Sequence, residues 1–584
     1  MHMKNKIVSN AHWILLFVLT IFLFVYFLFY AKVQLGGDIV EYYGITETVL
    51  NHRGFNLTKS DQTQLEKVLH PAYFQDPGYY IKGKDGNRYP VHFFFYSLLV
   101  IPFRMFLHLF HLPEIKALSL TNVIIFSFSA FIIMKWLIKR PIHKFFFLTL
   151  YCISPIMSFF VWPGPDVFMI SLLTIGVFAF FQKKYAVAAI ITALASWHSQ
   201  PLIITSAGFC LFYAVSETQF KMIKGKVKLA FQTDFLVPCI LAGIICLVPY
   251  AYNYAVFGVF TPWTILQDGW TKLNGFGVQN ISLKKLFEQF FDLDMGLFWY
   301  YPLVFFWACI AIAHSILKKK WQTAFTVFLL IATAFFYQTN PGWHYGTSGY
   351  GPTRHVLFAV PFLMYFIVTF LERKTFSFIL FFILIFSQLY VLSLNKFLEP
   401  DLTDTLRHSL YTLFVLNNIP NIYNPTPAIF VDRTNQTNFT YPTSAIYKYK
   451  GQCKKAFVLK TDIQMLTNQC KTIPEKFKPA LENEFLRVAS YSRTVITSEA
   501  TFWPDPESCA SYFTPTSEKP FICMKTIQEV MKHTGITDVS RITTVATFPY
   551  PGIWKMTAGA PMAITVPPGY IINHQSIDGV YVTY

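Results

Sequence analysis

Charged residues are scarce in this chain. Asp, Glu, Lys and Arg together make up only 14% of its 584 residues, whereas 54% are hydrophobic and 18% are aromatic. A large soluble enzyme needs more charge than this to cover its surface, so the composition argues against that class. The mean hydropathy of +0.40 instead predicts an α-helical polytopic membrane protein.

Motifs of ATP-driven chemistry are also absent. The sequence has no Gly-Lys-Ser/Thr phosphate-binding loop, no obvious internal repeat and no low-complexity linker. None of the connections that we assign to the cytoplasm is long enough to hold a nucleotide-binding domain. Together these absences argue against an ATP-driven function.

The formal net charge of +17 is the one bulk property that points towards nucleic acid. Many of the basic residues, however, fall in short clusters between apolar runs, where the positive-inside rule expects them on the cytoplasmic face. The five clusters are Lys139-Arg140 with Lys144, Lys183-Lys184, Lys221 to Lys228, Lys318 to Lys320, and Arg373-Lys374. We therefore interpret the charge as topology and expect membrane lipids, and no nucleic acid, as partners.

The first apolar run extends from His12 to Ala31 and is preceded by Lys4 and Lys6. At about 1.5 Å per residue it is long enough to cross ~30 Å of hydrocarbon. No small-residue cleavage site of a signal peptide is evident before Lys32. We therefore expect a retained first helix with its N-terminus in the cytoplasm.

Further apolar runs predict about 11 transmembrane helices in total. They lie near 117–136, 145–162, 167–181, 185–198, 200–215, 236–256, 297–317, 321–338, 356–371 and 376–395. All five basic clusters can lie in the cytoplasm only if the run 89–110 stays on the far side as a re-entrant or interfacial element. Everything after residue 396 is then extracytoplasmic.

The composition changes near residue 395. We expect residues 1–395 to form a transmembrane domain, with juxtamembrane helices in a first external loop of 32–116. Residues 396–584 contain no further membrane-length run and are expected to form an extracytoplasmic mixed α/β domain. Its predicted strands include Ala456–Leu459, Thr543–Phe548 and Val580–Tyr584, and its predicted helix is Thr526–His533.

Four cysteines lie in this C-terminal region, namely Cys453, Cys470, Cys509 and Cys523. An even number outside the cytoplasm suggests disulfides. Among the three possible pairings, sequence proximity favours Cys453 with Cys470 and Cys509 with Cys523. Neither pair has the Cys-x-x-Cys spacing of a redox or zinc motif, so we expect the disulfides to stabilise a small domain.

Ionisable and aromatic residues gather in the loops that this topology places outside. The set comprises Asp38, Glu41, Tyr42, Arg88 and His92 in the first loop, Asp166 after Trp162-Pro163-Gly164-Pro165, His198 in an apolar hairpin, and His344, Tyr350, Arg354 and His355 in one glycine-rich loop. An ionisable residue at the membrane edge is costly to keep and usually has a functional task. These loops are therefore the candidate site.

The order of these motifs resembles that of the GT-C glycosyltransferases, multi-span enzymes that use lipid-phosphate-linked sugars. The shared features are Asp38 after the first span, Tyr89-Pro90 before an interfacial helix, Asp166 in the second external loop, the Gly-Leu-aromatic-Pro segment Gly296 to Pro302, and Tyr350-Gly351-Pro352-Thr353-Arg354. The resemblance covers roughly residues 1–395, which it implies form a GT-C-like transmembrane catalytic domain, and is nearest to bacterial aminoarabinose and mannosyl transferases. In protein O-mannosyltransferases of this class the first-loop acids are adjacent, whereas here Ile39 follows Asp38 and the next acid is Glu41.

The resemblance implies roles for individual residues. Asp38 would be the general base that takes a proton from the acceptor hydroxyl, and Glu41 would be a second catalytic or supporting acid. Arg354 would stabilise the charge on the leaving lipid phosphate, because a planar guanidinium suits phosphate oxygens. The other expected substrate-binding residues are His344, His355, His198, Tyr350, Arg88, His92 and Tyr42.

Several interpretations of Asp166 stay open at this point. It would orient the acceptor, or would join Asp38 as an oxygen ligand of a divalent cation, Mg²⁺ or Mn²⁺, since hard cations are commonly held by one or two carboxylates plus substrate phosphate. It is also placed to cap the helix that follows.

The predicted function is the transfer of a monosaccharide from a polyprenyl-phosphate carrier to a periplasmic acceptor, which is a glycolipid, a polysaccharide, another cell-envelope polymer or a protein. The short loops favour a bacterial inner membrane, with the N-terminus cytoplasmic and the C-terminal domain periplasmic. The alternative is a membrane transporter or lipid-linked sugar flippase. Such a protein would have inverted repeats and ionisable groups near the bilayer midplane.

Overall fold

The fold is mostly helical. In the computed structural model, the described residues are 2–33, 35, 38–69, 80–223, 226–231, 233–261, 278–340, 342–344, 346, 351–371, 377–395, 406–436, 444–459, 463–470, 486–489, 494–496, 501–503, 521–523, 543–545 and 576–583. All structural statements below concern these residues.

Helices make up most of the chain before residue 395. They are α1 His2–Phe29, α2 Ile39–His52, α3 Lys59–Leu65, α4 Phe95–Leu109, α5 Ala117–Ile132, α6 Pro141–Cys152, α7 Asp166–Phe181, α8 Tyr185–Ala195, α9 Leu202–Glu217, α10 Leu236–Phe257, α11 Leu283–Phe291, α12 Leu297–Tyr300, α13 Pro302–Leu317, α14 Trp321–Tyr337, α15 Val360–Leu371 and α16 Ser377–Leu394. Three more follow, α17 Leu410–Asn418, α18 Pro427–Asn435 and α19 Ile463–Cys470.

Four helical segments are long and apolar enough to cross a membrane, and several shorter apolar helices accompany them. The four are Asn10–Phe29, Glu114–Leu137, Thr233–Phe257 and Arg354–Leu371. The shorter ones include Asp166–Phe181, Leu202–Glu217, Pro302–Leu317, Trp321–Tyr337 and Phe378–Leu394. By length and composition these are the helices of a multi-pass membrane protein, as the sequence predicts. The number of crossings and the sidedness of the loops stay predictions.

The predicted span 145–162 differs from its observed structure. The run 145–162 was expected to be a single helix, but α6 ends at Cys152 and a 3₁₀ turn follows at Pro155–Phe159. A proline disfavours the helical region for the residue before it, and Ser154 accordingly has an extended ψ of 162°. The chain therefore turns within the protein core at this point instead of continuing as a helix.

The juxtamembrane helix α2 is held against α4 by polar contacts. The Arg104 guanidinium on α4 donates to both carboxylate oxygens of Glu47 on α2, at 2.7 and 2.9 Å. The Tyr80 hydroxyl donates to the Val40 carbonyl at 2.9 Å. This close approach requires a glycine, because a Cβ on Gly44 would lie only 1.9 Å from the Tyr80 hydroxyl oxygen. These contacts fix the position of the first turn of α2.

The strands form four small sheets. They are β1 Tyr80–Lys82, β2 Arg88–Pro90, β3 Thr218–Ile223, β4 Lys226–Phe231, β5 Ala445–Tyr449, β6 Gln452–Leu459, β7 Leu486–Ala489, β8 Thr494–Ile496, β9 Thr501–Trp503, β10 Phe521–Cys523, β11 Thr543–Val545 and β12 Ser576–Thr583. β1 pairs with β2 and β3 pairs with β4, while the other strands form sheets in the orders β5-β6-β12-β7 and β10-β9-β8-β11.

The sheets contain the strands predicted from the C-terminal sequence. β12 pairs antiparallel with β6, so that Val580 lies opposite Val458. The segment at 543 forms a strand only over Thr543–Val545 among the described residues. The predicted helix Thr526–His533 lies outside those residues. The combination of α17 to α19 with these strands agrees with a mixed α/β region, whereas its boundaries and its location outside the cytoplasm stay predictions.

One of the two predicted disulfides is confirmed. Cys453 on β6 and Cys470 at the end of α19 form a disulfide with a Cα–Cα distance of 5.7 Å. The link joins a central strand of one sheet to the helix that follows it. The second predicted pair involves Cys509, which lies outside the described residues.

Candidate functional site

Asp38 occupies the N-cap position of α2 but does not cap the helix with its side chain. Its backbone carbonyl accepts hydrogen bonds from the amides of Glu41 and Tyr42, both at 3.1 Å. The carboxylate is therefore available for another partner. Its Oδ2 atom accepts a hydrogen bond from Nη1 of Arg354 at 2.9 Å, and 18% of the side chain remains exposed.

Arg354 is held in place by its own loop. It begins a 3₁₀ turn, Arg354–Ala359, that continues into α15, and its amide donates to the Gly346 carbonyl at 2.9 Å. Gly346 has a φ of +78°, and a Cβ there would lie 2.7 Å from the Arg354 side chain, so glycine suits this position on both grounds. The guanidinium also donates from Nε to Nε2 of His355 at 3.3 Å. The loop therefore directs the guanidinium towards Asp38.

The charges around Asp38 keep it ionised. Burial on its own would raise the pKa of this carboxyl, but the positive charges of His92 and Arg354 outweigh it and hold the pKa below its ordinary value. His92 lies farther away than Arg354, with its Nε2 atom 3.9 Å from Asp38 Oδ2. At neutral pH Asp38 is thus a carboxylate between two positively charged groups.

Glu41 and His92 form a hydrogen-bonded pair beside Asp38. The ring Nδ1 of His92 contacts Oε2 of Glu41, and the His92 amide donates to the same oxygen at 3.0 Å. Burial raises the pKa of Glu41, which is 1% exposed, to about 7. Burial would lower the pKa of His92, but Glu41 and Asp38 raise it to about 9. Two carboxyl groups on one helical turn therefore have pKa values pushed in opposite directions, which is a common arrangement in acid–base sites.

Asp166 is the first residue of α7 and is 2% exposed. The N-cap position belongs to Pro165, so Asp166 does not cap the helix in the manner considered from the sequence. It lies within electrostatic reach of Arg354, Asp38 and His92. The structure therefore brings the second-loop acid to the same cluster as the first-loop acid and the arginine.

Trp162 also contacts this cluster, although it was not among the residues selected from the sequence. The Arg354 guanidinium carbon lies 5.9 Å from the centroid of its ring. Such a distance is typical of a cation–π contact. The sequence feature that could have identified Trp162 is its position four residues before Asp166, in a loop that contains two prolines.

His198 and Tyr42 line the inner side of the cluster. The Tyr96 amide donates to Nε2 of His198 at 3.1 Å, so this nitrogen is an acceptor. Burial lowers the pKa of His198 to about 3, which keeps the ring neutral. The Tyr42 ring lies 5.3 Å from that of His92 and 5.9 Å from that of His198. These residues support His92 from the buried side.

The surroundings of the other sequence-predicted residues differ from one another. His355 packs edge-on against Tyr337, with 5.5 Å between the ring centroids. His344 is buried, with Nε2 3.8 Å from the Asp432 carboxylate. The side chain of Arg88 is exposed on β2, and its carbonyl accepts the Leu57 amide at 2.8 Å. Tyr350 lies outside the described residues.

A second buried polar network was not predicted. Asp294 accepts hydrogen bonds from the Ser409 amide at 2.7 Å and the Tyr423 hydroxyl at 3.0 Å, and its Oδ2 atom is 2.8 Å from Nδ1 of His408. The Tyr423 hydroxyl also contacts Asp292 at 3.1 Å. The sequence contains a feature that could have indicated this network, because the acids Asp292 and Asp294 lie just before the Gly-Leu-aromatic-Pro segment. The network joins the segment 406–436 to the loop before α12.

The sequence predicts a divalent cation between Asp38 and Asp166. In the part of the chain that the structure describes, no group of three or more His, Cys, Asp or Glu side chains is arranged to hold a metal ion. The Asp38 oxygen nearest the cluster is engaged by Arg354. A cation held by Asp38 and Asp166 together with substrate phosphate stays a prediction, and no chemical step below uses one.

The comparisons with known proteins leave the chain without an assigned family. No protein-family model, curated protein or solved structure matches it. The GT-C resemblance consequently depends on the residues quoted above. What the geometry adds is that Asp38, Glu41, His92, Asp166 and Arg354, which come from three separate loops, form one cluster.

Proposed function

We propose that this protein is a membrane glycosyltransferase that moves a monosaccharide from a polyprenyl-phosphate carrier to an acceptor hydroxyl. The observation that carries the proposal is the hydrogen bond between Asp38 and Arg354. A carboxylate suited to accept a proton and a guanidinium suited to bind phosphate lie side by side. They are the two residues to which the GT-C resemblance assigns those tasks.

The proposed reaction begins with an exchange of partners at Arg354. An incoming phosphate competes with Asp38 for the guanidinium, which compensates the negative charge of the leaving group. Because Arg354 lowers the pKa of Asp38, loss of this contact makes the carboxylate a stronger base. Donor binding thus prepares the base at the moment when it is needed.

The chemical step then replaces one bond to the anomeric carbon by another. The acceptor oxygen attacks this carbon, its proton passes to Asp38, and the bond between the carbon and the phosphate oxygen breaks. The electron pair of that bond leaves with the polyprenyl phosphate, whose charge Arg354 stabilises. Glu41 orients His92, whose positive charge keeps Asp38 ionised before the transfer.

In this proposal the site faces the periplasm of a bacterial cell. The N-terminus lies in the cytoplasm, and the acceptor is a glycolipid, a polysaccharide, another cell-envelope polymer or a protein. The five basic clusters support the orientation, because each falls on the cytoplasmic side when the candidate site is outside. The C-terminal region then shares the periplasmic compartment, where the disulfide between Cys453 and Cys470 is stable.

The test is transfer of radiolabelled sugar from a panel of polyprenyl-phosphate monosaccharides to membrane acceptors. We expect Asp38→Asn to abolish transfer at matched expression and insertion. Asp85→Asn is the matched control, because it makes the same change at an exposed position of the same loop. Undiminished transfer by Asp38→Asn would remove this residue from the chemistry. Absence of transfer by the wild type from every donor would favour the flippase alternative.

A further inference from the structure

Two buried polar atoms lie beside the proposed catalytic pair without a hydrogen-bond partner among the described residues. They are Nε1 of Trp162 and Oδ2 of Asp166. The two side chains are only 8% and 2% exposed. A buried N–H group or carboxylate oxygen that lacks a partner has lost its hydrogen bonds to water without replacing them, which costs free energy. A ligand that forms hydrogen bonds with both atoms would therefore remove this cost.

The two atoms lie close together beside Gly164. A Cβ at Gly164 would lie 2.7 Å from Trp162 Nε1 and 2.8 Å from Asp166 Oδ2. No side chain larger than hydrogen fits there without displacing one of them. Pro163 and Pro165 flank this glycine, and each restricts its own φ angle. The loop therefore holds a donor and an acceptor at a fixed separation.

The chemistry of the two atoms is complementary to a hydroxyl group. An indole N–H is only a donor, and an ionised carboxylate is only an acceptor. A hydroxyl both donates and accepts, so a single hydroxyl can satisfy Trp162 and Asp166 together. A phosphate would meet repulsion from Asp166, and an ammonium group has no lone pair for the indole.

The position of these two atoms connects them to the proposed reaction. The Trp162 ring lies 5.9 Å from the Arg354 guanidinium carbon, and Asp166 interacts electrostatically with Arg354 and Asp38. A hydroxyl held here would belong to a molecule that also reaches the catalytic pair. We propose that Trp162 and Asp166 form a subsite that recognises one hydroxyl group of a sugar substrate. This inference rests on the proposed function and specifies the substrate contact that its site makes.

Equilibrium binding tests the subsite without requiring turnover. The probes are a short-chain polyprenyl-phosphate glucose and its four single-deoxy analogues, bound to the full-length protein in lipid nanodiscs. We expect the wild type to bind the parent probe roughly tenfold more tightly than one of the analogues, as a lost hydrogen bond to a charged group predicts. Trp162→Phe keeps the ring near Arg354 but removes the N–H group, and Asp166→Asn keeps the shape but removes the charge. Both variants should bind the parent and that analogue equally.

A second arm identifies which substrate carries the hydroxyl. If all five probes bind the wild type equally, the hydroxyl belongs to the acceptor, and both variants should then raise the acceptor KM about tenfold with unchanged donor Kd. Gly164→Ala should reproduce the loss, whereas Gly243→Ala, with nothing within 4 Å of its Cβ, should not. If Trp162→Phe and Asp166→Asn match the wild type both in probe binding and in acceptor KM, the subsite proposal is overturned. A water molecule would then be enough to satisfy the hydrogen-bonding groups of the two side chains.

The subsite and the proposed function fail in distinguishable ways. Normal transfer by Asp38→Asn, combined with hydroxyl discrimination that depends on Trp162 and Asp166, would retain the subsite and reject the base. Absence of binding of all five probes to the wild type, together with absence of transfer, would reject both.

Discussion

Arg354 and Asp38 are 316 positions apart in the sequence, yet Nη1 of the arginine donates to Oδ2 of the aspartate at 2.9 Å. Each residue stands at the beginning of a helical element, α2 in one case and the 3₁₀ turn before α15 in the other. The contact therefore joins the loop after α1 to the glycine-rich loop before α15. Its consequences can be measured at several levels.

The guanidinium itself should be required at position 354. Arg354→Lys keeps the positive charge but loses the geometry that contacts Asp38 and His355 together. We expect about a hundredfold lower transfer rate, in the range found when one donor of a transition-state site is removed. The measurement is the initial rate at saturating donor. Arg53→Lys, at an exposed residue at the end of α2, should retain the full rate, and equal rates for the two variants would contradict the phosphate role.

Stability should fall as the pH rises through the range in which His92 titrates. The pKa of His92 is raised from 6.5 to about 9, so its contribution is present below about pH 6.5 and is lost as the pH approaches 9. The pKa of Glu41, raised from 4.5 to about 7, adds a loss in the same direction between those two values. Thermal unfolding in detergent, followed from pH 6 to 9.5 in steps of ~0.5 pH units, measures the slope of stability against pH.

His92→Gln should flatten this slope between pH 6.5 and 9, because glutamine does not titrate. His111→Gln, at an exposed histidine, is the control and should leave the slope unchanged. An unaltered slope in His92→Gln would show that the contact with Glu41 does not couple to folding.

Gly44 should not tolerate even a methyl group. A Cβ there would lie 1.9 Å from the Tyr80 hydroxyl oxygen, which donates to the Val40 carbonyl. We expect Gly44→Ala to lower the free energy of unfolding by about 1–3 kcal/mol through overpacking. Gly243→Ala also lies in a helix but meets nothing within 4 Å, so it should be neutral or slightly stabilising. Equal unfolding midpoints for the two variants would contradict the packing described for α2.

The network around Asp294 should stabilise the attachment of segment 406–436. His408→Ala leaves the buried Asp294 carboxylate without its ring partner, and losing a hydrogen bond to a charged group costs about 1.5–3 kcal/mol. Limited proteolysis should then cleave within 406–436 faster than in the wild type. Lys448→Ala, on the exposed side of β5, is the control. Unchanged cleavage of His408→Ala would mean that other contacts suffice.

The sequence predicted which residues belong to the site better than it predicted which of them contact one another. Asp38, Asp166 and Arg354 were selected because each is an ionisable residue at the edge of an apolar run, which is a local property. The pairing of Glu41 with His92 depends on how α2 packs against the segment before α4. Hydrophobic periodicity does not report such a register, so the two residues were given separate roles.

The fold, like the site, was predictable where the signal is local in the sequence. Long apolar runs and the proximity of Cys453 to Cys470 are local signals, and the structure agrees with both. The end of α6 at Cys152 was missed because hydropathy averages over Pro155, whose effect is on backbone geometry. The burial of Asp292 and Asp294 was missed because their partners, His408 and Tyr423, follow more than a hundred residues later.

The location of Arg354 at the start of an apolar helical segment, Arg354–Leu371, has a kinetic consequence. A ligand with an isoprenoid chain would approach the guanidinium by lateral diffusion within the bilayer. Its encounter rate would then depend on its mole fraction among the surrounding lipids, and only indirectly on its bulk concentration. Adding inert phospholipid to a proteoliposome assay at constant total donor should therefore slow the reaction by surface dilution.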